Sequence, residues 1–303
     1  MTASTLLRYR MCSLEVHSEI ALVELDRADD NVPATCVVQL GKQAPATIAR
    51  WLLDHEHREG FLAKEDPEQR LVVHLEGAAI IVVGADNATI VVHPEIDDED
   101  VISHLVVDHV LPRVLARRGY TVLHATCVAY QDRAVAFVGA SGAGKSTLAM
   151  SAVHSGARLL ADDCLVLADC GAEFEVLASY AGSRLWSDSA SALDIDPHGA
   201  LINATGKSRV RLDAAFASGT RTRLAAVFVL ERDATDLDID AMAPAEAFWR
   251  LGENTYVFDG RRHGFDGLGS LVDTTPIYRL RYPSSYASLP AVHRAISQLI
   301  ESI

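Results

Sequence analysis

Apolar residues in this chain gather in short, β-branched runs separated by turn residues, and only a few stretches carry the spacing of a helix face. In the first third, Glu19–Leu25 and Ala34–Leu40 read as strands parted by the turn cluster Asp29–Pro33. Ala46–Leu53 is spaced as a helix. Arg70–Leu75, Ala78–Val83 and Ala88–His93 follow, separated by Glu76-Gly77 and Gly84–Asn87, which is the pattern of a small antiparallel sheet. The acidic run Asp97–Asp100 opens a helix that continues to Arg118. Its basic last turn suits the helix dipole, Gly119 stops it, and Pro112 kinks or divides it. His104 and His109, five apart, do not share an α-helical face and read as structural.

From Tyr120 the apolar density rises. Tyr120–Tyr130 reads as a strand, turned by Gln131-Asp132-Arg133 into Ala134–Val138, and so short a connection makes an antiparallel hairpin. A glycine-rich stretch, the helical Leu148–Val153 and the short strands Ala157–Ala161 and Cys164–Ala168 come next. Leu224–Leu230 reads as a buried strand with Leu237–Asp240 paired to it. Pro244–Leu251 starts a helix, Asp259–Gly269 is a glycine-rich basic loop, Ile277–Tyr282 an edge strand and Leu289–Ile300 a closing amphipathic helix. The class is α/β on a mixed sheet. The boundary falls in the helix before Gly119, giving a smaller β-rich N-terminal domain over 1–118 and a second domain over 119–303.

The chemistry concentrates after Val138. Gly139-Ala140-Ser141-Gly142-Ala143-Gly144-Lys145-Ser146-Thr147 fits G-x-x-x-x-G-K-S/T, between a strand and a helix as the phosphate-loop motif requires. Glycines let main-chain N–H groups converge on an anion, and the helix N-terminus adds unpaired donors. Lys145 reaches the β- and γ-phosphates and the Ser146 hydroxyl ligates Mg²⁺, so the motif predicts binding of a nucleoside triphosphate with Mg²⁺; ATP is the expected one, although the motif itself does not choose it over GTP. Asp162 and Asp163 follow an apolar strand. Adjacent carboxylates there are costly without a cation, and in an extended segment they point to opposite faces. One can face the metal and the other can take a proton from an attacking hydroxyl. His124 lies on the strand beside the one feeding the loop, where a histidine is more often a satisfied core residue. Of Lys207, Arg209 and Arg211, any can neutralise a transferring phosphoryl group or bind an acidic substrate, and a solvated strand edge is the plainer reading.

Composition narrows the partners. The 303 residues carry a formal charge of −14 with no block of Lys and Arg, which argues against a nucleic-acid partner. Five cysteines without a C-x-x-C pair fit reduced thiols in the cytoplasm. The first residues do not read as a signal peptide, and no apolar run reaches 18 residues, so no membrane segment is expected. His55 and His57 flank Glu56 at a helix end; with no third ligand in view, a solvated end outweighs a metal site.

Leu123-His124, the loop Gly139–Thr147 and Gly156-Ala-Arg-Leu-Leu-Ala-Asp-Asp163 together resemble the catalytic domain of HPr kinase/phosphorylases and their related proteins. The resemblance extends more weakly through Leu185–Asp188, Gly206–Leu212 and Leu224–Arg232. It implies a P-loop kinase core on a mixed sheet, similar to that of ATP-dependent phosphoenolpyruvate carboxykinase. It implies Asp162 as general base for a serine hydroxyl, Asp163 as the metal-side carboxylate and His124 as the neighbour that tunes them. The Arg-Gly-x-Gly signature of true HPr kinases is missing; Lys207–Arg211 is the nearest basic cluster. Kinases encoded beside lasso-peptide machinery have the same look, so the implied acceptor is a serine-type hydroxyl of a peptide or protein, with a small-molecule hydroxyl or a slowly hydrolysing regulatory module as alternatives. Homo-oligomers occur in the family.

Overall fold

The computed structural model describes residues 6–29, 31–195, 201–202, 207–212, 216, 219–232, 234–256 and 263–303. The chain forms two compact units, one of residues up to Arg118 and one of Gly119–Tyr256 with the stretch from His263 on.

In the first unit, alternating burial of Tyr9, Met11, Leu14 and Val16 builds a hairpin of β1 (Leu7–Met11) and β2 (Leu14–Ser18). To these are added β3 (Asp26–Arg27), β4 (Cys36–Leu40), β5 (Phe61–Glu65), β6 (Leu71–Leu75), β7 (Ala79–Val83) and β8 (Thr89–Pro94). All eight make one sheet, ordered β3-β1-β2-β4-β8-β7-β6-β5. The three expected central strands are there and antiparallel, but the sheet is larger and mixed, because β4 runs parallel to both β2 and β8. Glu19–Leu25 is not a strand. The Ser18 hydroxyl donates to Ile20 O and accepts from Ile20 N, and a Leu25-to-Leu22 turn follows, so the backbone leaves the ladder. Helix α1 (Ala46–Leu53) packs Ile48 and Leu52 on Leu62, Val72, Ile80 and Val82.

The acidic helix is divided as Pro112 requires. Asp98 caps α2 (Glu99–His104) by accepting from Val101 N, a π-helical turn spans Leu105–Val110, and α3 (Leu111–Arg117) begins with Pro112 in its first turn. A proline has no N–H to give and its ring crowds the carbonyl four residues back; the wider turn before it absorbs the mismatch. The π turn also overturns the spacing argument for the histidines. His104 and His109 meet edge to face with ring centroids 5.7 Å apart, while His104 Nδ1 lies 2.6 Å from Asp108 Oδ2.

The second unit is three-layered. Its strands are β9 (Thr121–Leu123), β10 (Ala125–Tyr130), β11 (Arg133–Val138), β12 (Arg158–Ala161), β13 (Leu165–Asp169), β14 (Phe174–Leu177), β15 (Gly182–Leu185), β16 (Leu201–Ile202), β17 (Lys207–Arg211), β18 (Arg221–Arg232), β19 (Asp238–Ala241) and β20 (Ile277–Tyr282). Its helices are α4 (Lys145–His154), α5 (Ser187–Ala192), α6 (Pro244–Gly252), α7 (His263–Thr274) and α8 (Leu289–Glu301). The main sheet runs β12-β10-β11-β18-β14-β13-β9; β20 joins the other end of β18, and β19 joins β20. Strand β18 lies parallel to β11 and β20 and antiparallel to β14, so the sheet is mixed. Strand alternation sends Ala134, Ala136 and Val138 into one core with Leu251, Leu268 and Leu271 of α6 and α7. Val135 and Phe137 enter the opposite core with Leu148 of α4 and Val292 and Ile296 of α8. A smaller sheet, β15-β17-β16, stands apart.

Three expectations are corrected here. β19 pairs with β20 and not with β18, and β20 is therefore interior. Tyr120–Tyr130 is two strands broken at His124: β9 pairs with β13 while β10 pairs with β11 and β12. The expected basic loop is helix α7 from His263 onward, its earlier residues lying outside those described. Gly267 is what allows that helix to close on β9, since a Cβ there would stand 2.3 Å from Thr121 Oγ1. Among the described residues no helix is long and apolar enough to cross a membrane.

Phe228, fully buried and stacked on Tyr278 at 5.5 Å, sits where β18 is covered on both edges. Phe228→Ala should cost about 3–5 kcal/mol of stability, read from the urea unfolding midpoint.

Candidate functional site

The glycine loop follows β11 directly. Gly142 and Gly144 adopt φ of 80° and 93°, a left-handed backbone that a side chain would strain, and Gly144 is the residue from which α4 starts. Lys145, 6% exposed, folds back over the loop, its ammonium donating to Gly139 O (2.8 Å) and Ala140 O (3.4 Å). Burial is the main cause that lowers its pKa, with the nearby Lys207 ammonium acting in the same direction and Asp163 and Asp162 opposing. Thr147 Oγ1 meets Ser189 Oγ at 3.0 Å, and Ser189 Oγ meets the Tyr286 hydroxyl at 3.2 Å, so α4 is tied to α5 and to the short 3₁₀ turn before α8.

Strand β12 ends at Ala161, and the two aspartates lie in a turn rather than on a strand: Cys164 N donates to Asp162 O at 2.8 Å and Asp163 has φ of 63°. This turn, not strand alternation, sends the two carboxylates to different surroundings. Asp162 is 1% exposed. One oxygen accepts from Thr126 Oγ1 (2.5 Å) and Ser146 Oγ (3.0 Å); the other accepts from Ser183 Oγ (2.5 Å) and Arg184 N (3.3 Å). Burial, then the Asp163 charge, pushes its pKa up against the pull of the three hydroxyls.

Asp163 is less enclosed, with 18% of its side chain exposed. Arg184 Nη1 lies 3.2 Å from its Oδ2, and His124 Nδ1 lies 3.9 Å from its Oδ1 while donating to its carbonyl at 3.2 Å. The break between β9 and β10 gives His124 this position, and its own N–H donates to Asn254 O at 2.7 Å. The imidazole keeps 40% of its surface exposed, yet the protein around it still lowers its pKa, burial first, with the Lys145 charge adding and Asp163 opposing.

The small sheet forms a basic wall. Arg209 stands opposite Arg184 in the β15–β17 register, and the Lys207 ammonium lies 5.7 Å from the ring of Trp186, itself 47% exposed. Arg211, opposite Gly182, is exposed at the far end. The structure thus brings His124, Lys145, Ser146, Asp162, Asp163 and the Lys207–Arg209 edge together. Arg184 was missed in the sequence. Nothing in Gly182-Ser-Arg-Leu185 marks it, and only the hairpin with β17 and the turn at Asp163 bring it here. Ser183 and Thr126 were missed for the same reason: each is one hydroxyl in an ordinary strand.

No protein-family model matches the chain, and none of the curated proteins matches it. Among solved structures it is similar to the HPr(Ser) kinase/phosphatase from Coxiella burnetii, at 14% identity and a TM-score of 0.32, over 58% of this chain and 98% of that one. A likeness that low carries no weight for the activity, which has to be read from the site itself.

Because His124 binds its proton less readily folded than unfolded, it contributes stability above about pH 6.5 that is lost as pH falls through its folded value. Its imidazole should titrate below about 6.5 by NMR, and His124→Gln should flatten the acid-side loss of thermal stability.

Proposed function

We propose that the chain is a phosphotransferase that moves the γ-phosphoryl group of ATP, with Mg²⁺, to a serine-type hydroxyl of a peptide or protein. One observation carries this reading: the Ser146 hydroxyl, at the end of the glycine loop, donates to the enclosed Asp162 carboxylate at 3.0 Å. A loop serine and a strand-end aspartate are the pair that holds Mg²⁺ in phosphate-loop enzymes, and a carboxylate buried beside a second one favours a cation. Ser146 and Asp162 would hold the ion, which supplies charge neutralisation at the phosphate oxygens.

This assignment exchanges the roles implied by the family resemblance, where Asp162 was the base and Asp163 the metal-side group. A base must be reached by the acceptor hydroxyl, and Asp162 is 1% exposed with both oxygens already accepting hydrogen bonds. Asp163 is the reachable carboxylate. It takes the hydroxyl proton as the acceptor oxygen attacks the terminal phosphorus and the bond to the ADP oxygen breaks. Arg184 pairs with that carboxylate and aims it, and His124, neutral near pH 7, braces the turn through the Asp163 carbonyl. Main-chain N–H groups of the loop and Lys145 balance charge on the phosphate oxygens. Lys207 and Arg209, on the wall beside Arg184, suit an acceptor with acidic groups next to its hydroxyl. The cytoplasm fits a protein that uses ATP and carries five free cysteines.

Lys145→Ala should abolish most transfer from labelled ATP. Asp163→Asn should slow transfer about a hundredfold or more and leave ATP affinity near that of the unaltered protein, as expected for loss of a general base. Asp162→Asn should instead weaken Mg²⁺-dependent ATP binding in a titration calorimeter. Equal transfer rates for Asp163→Asn and the unaltered chain would overturn the base assignment, and label released only as free phosphate with every peptide offered would overturn the kinase reading.

A further inference from the structure

A second cluster of titratable groups lies in the N-terminal unit, at one end of its sheet, and plays no part in the chemistry above. His57 follows α1, and its Nε2 lies 2.8 Å from Nδ1 of His74 on β6. The outer nitrogen of each ring looks at a carboxylate: His57 Nδ1 is 3.5 Å from Glu76 Oε1, and His74 Nε2 is 3.7 Å from Glu95 Oε1. Glu95 is fixed in turn, its other oxygen accepting from Gly77 N at 3.0 Å. His55, which the sequence put beside His57 as a candidate ligand, is engaged elsewhere, at Trp51 O and against the Trp51 ring.

The tautomers decide what this arrangement wants. A neutral imidazole has one N–H. If each outer nitrogen carries it toward its carboxylate, the inner nitrogens face each other lone pair to lone pair, which is repulsive unless a cation lies between them. We propose that His57 and His74 form a binding site for a divalent d-block cation of borderline softness, of the Zn²⁺ or Cu²⁺ class. Imidazole is the common ligand of such ions, and a carboxylate on the far ring nitrogen is the usual outer support of a metal-bound histidine. Both side chains keep 13% of their surface exposed, so the pair is not sealed from the water that would complete the coordination. Bonds of about 2.0–2.1 Å at a tetrahedral angle separate the two nitrogens by about 3.3 Å. Opening the 2.8 Å contact that far and turning the ring onto the ion falls to His57, which sits in the connection between α1 and β5 and not on a strand. Glu76 and Glu95 supply two negative charges to balance the ion.

The test uses the full chain without nucleotide. Cu²⁺ added at one equivalent should give an electron paramagnetic resonance spectrum with two imidazole nitrogens, and Zn²⁺ should bind one to one by calorimetry. His57→Ala and His74→Gln should each weaken Zn²⁺ binding at least about tenfold and remove one nitrogen from the Cu²⁺ spectrum. Glu76→Gln should weaken Zn²⁺ binding about ten- to a hundredfold, the usual cost of losing an outer partner. His55→Ala and Ser146→Ala should leave both readouts unchanged, which separates this site from the loop. Circular dichroism of each variant checks that it folds. Zn²⁺ affinity unchanged in His74→Gln, or a Cu²⁺ spectrum without imidazole nitrogen, would overturn the proposal and leave the pair as a shared-proton contact.

Discussion

The geometry of the candidate site depends on one buried carboxylate. Asp162 gathers hydroxyls from β10, α4 and the start of β15, three elements that share no local sequence, and each gives it a hydrogen bond. An ionised carboxylate removed from water is expensive, and burial with the Asp163 charge pushes it toward its neutral form. The donors work against that cost, so the interaction that makes the ion tolerable is also the one that clamps the small sheet to the glycine loop. Remove the charge and the hydroxyls lose their common partner. Remove the hydroxyls and the charge has no reason to stay.

Everything more exposed is arranged around that fixed point. The turn that begins at Asp162 throws Asp163 outward in a left-handed conformation, at a cost of about 1–2 kcal/mol that the packed surroundings must cover. Arg184 follows Ser183 by one residue, so the strand that caps Asp162 also delivers the cation that pairs with Asp163. Lys145 is held by carbonyls of the loop it belongs to, and the positive groups around the mouth therefore come from three directions: the loop, β15 and β17.

The sequence showed whatever depends on local pattern. The strand–loop–helix unit around Lys145 was legible because glycine spacing and apolar runs both point to it, and α1, α6 and α8 were legible from helical spacing. Pro112 marked a break, although nothing local distinguished a kink from a π turn. What stayed hidden depends on pairing at a distance. The β1–β2 hairpin turns through Cys12, a non-glycine at φ of 54°, so no turn signal announced it. Which aspartate is enclosed is set by β15, whose four residues carry no motif. His57 had no visible partner because His74 lies 17 positions away, on β6.

Strand β11 owes its place in the middle of the sheet to β18, whose Arg223 pairs with Arg133, about ninety positions earlier. On the ribosome, β11 and the loop it carries emerge long before that neighbour exists, with one edge of an apolar strand bare. Only β10 covers it in the interval. The synthesis of this chain therefore passes through a window in which the glycine loop is complete in covalent terms but hangs from half a sheet, and it is in that window that the protein is most exposed to sticking to its own kind.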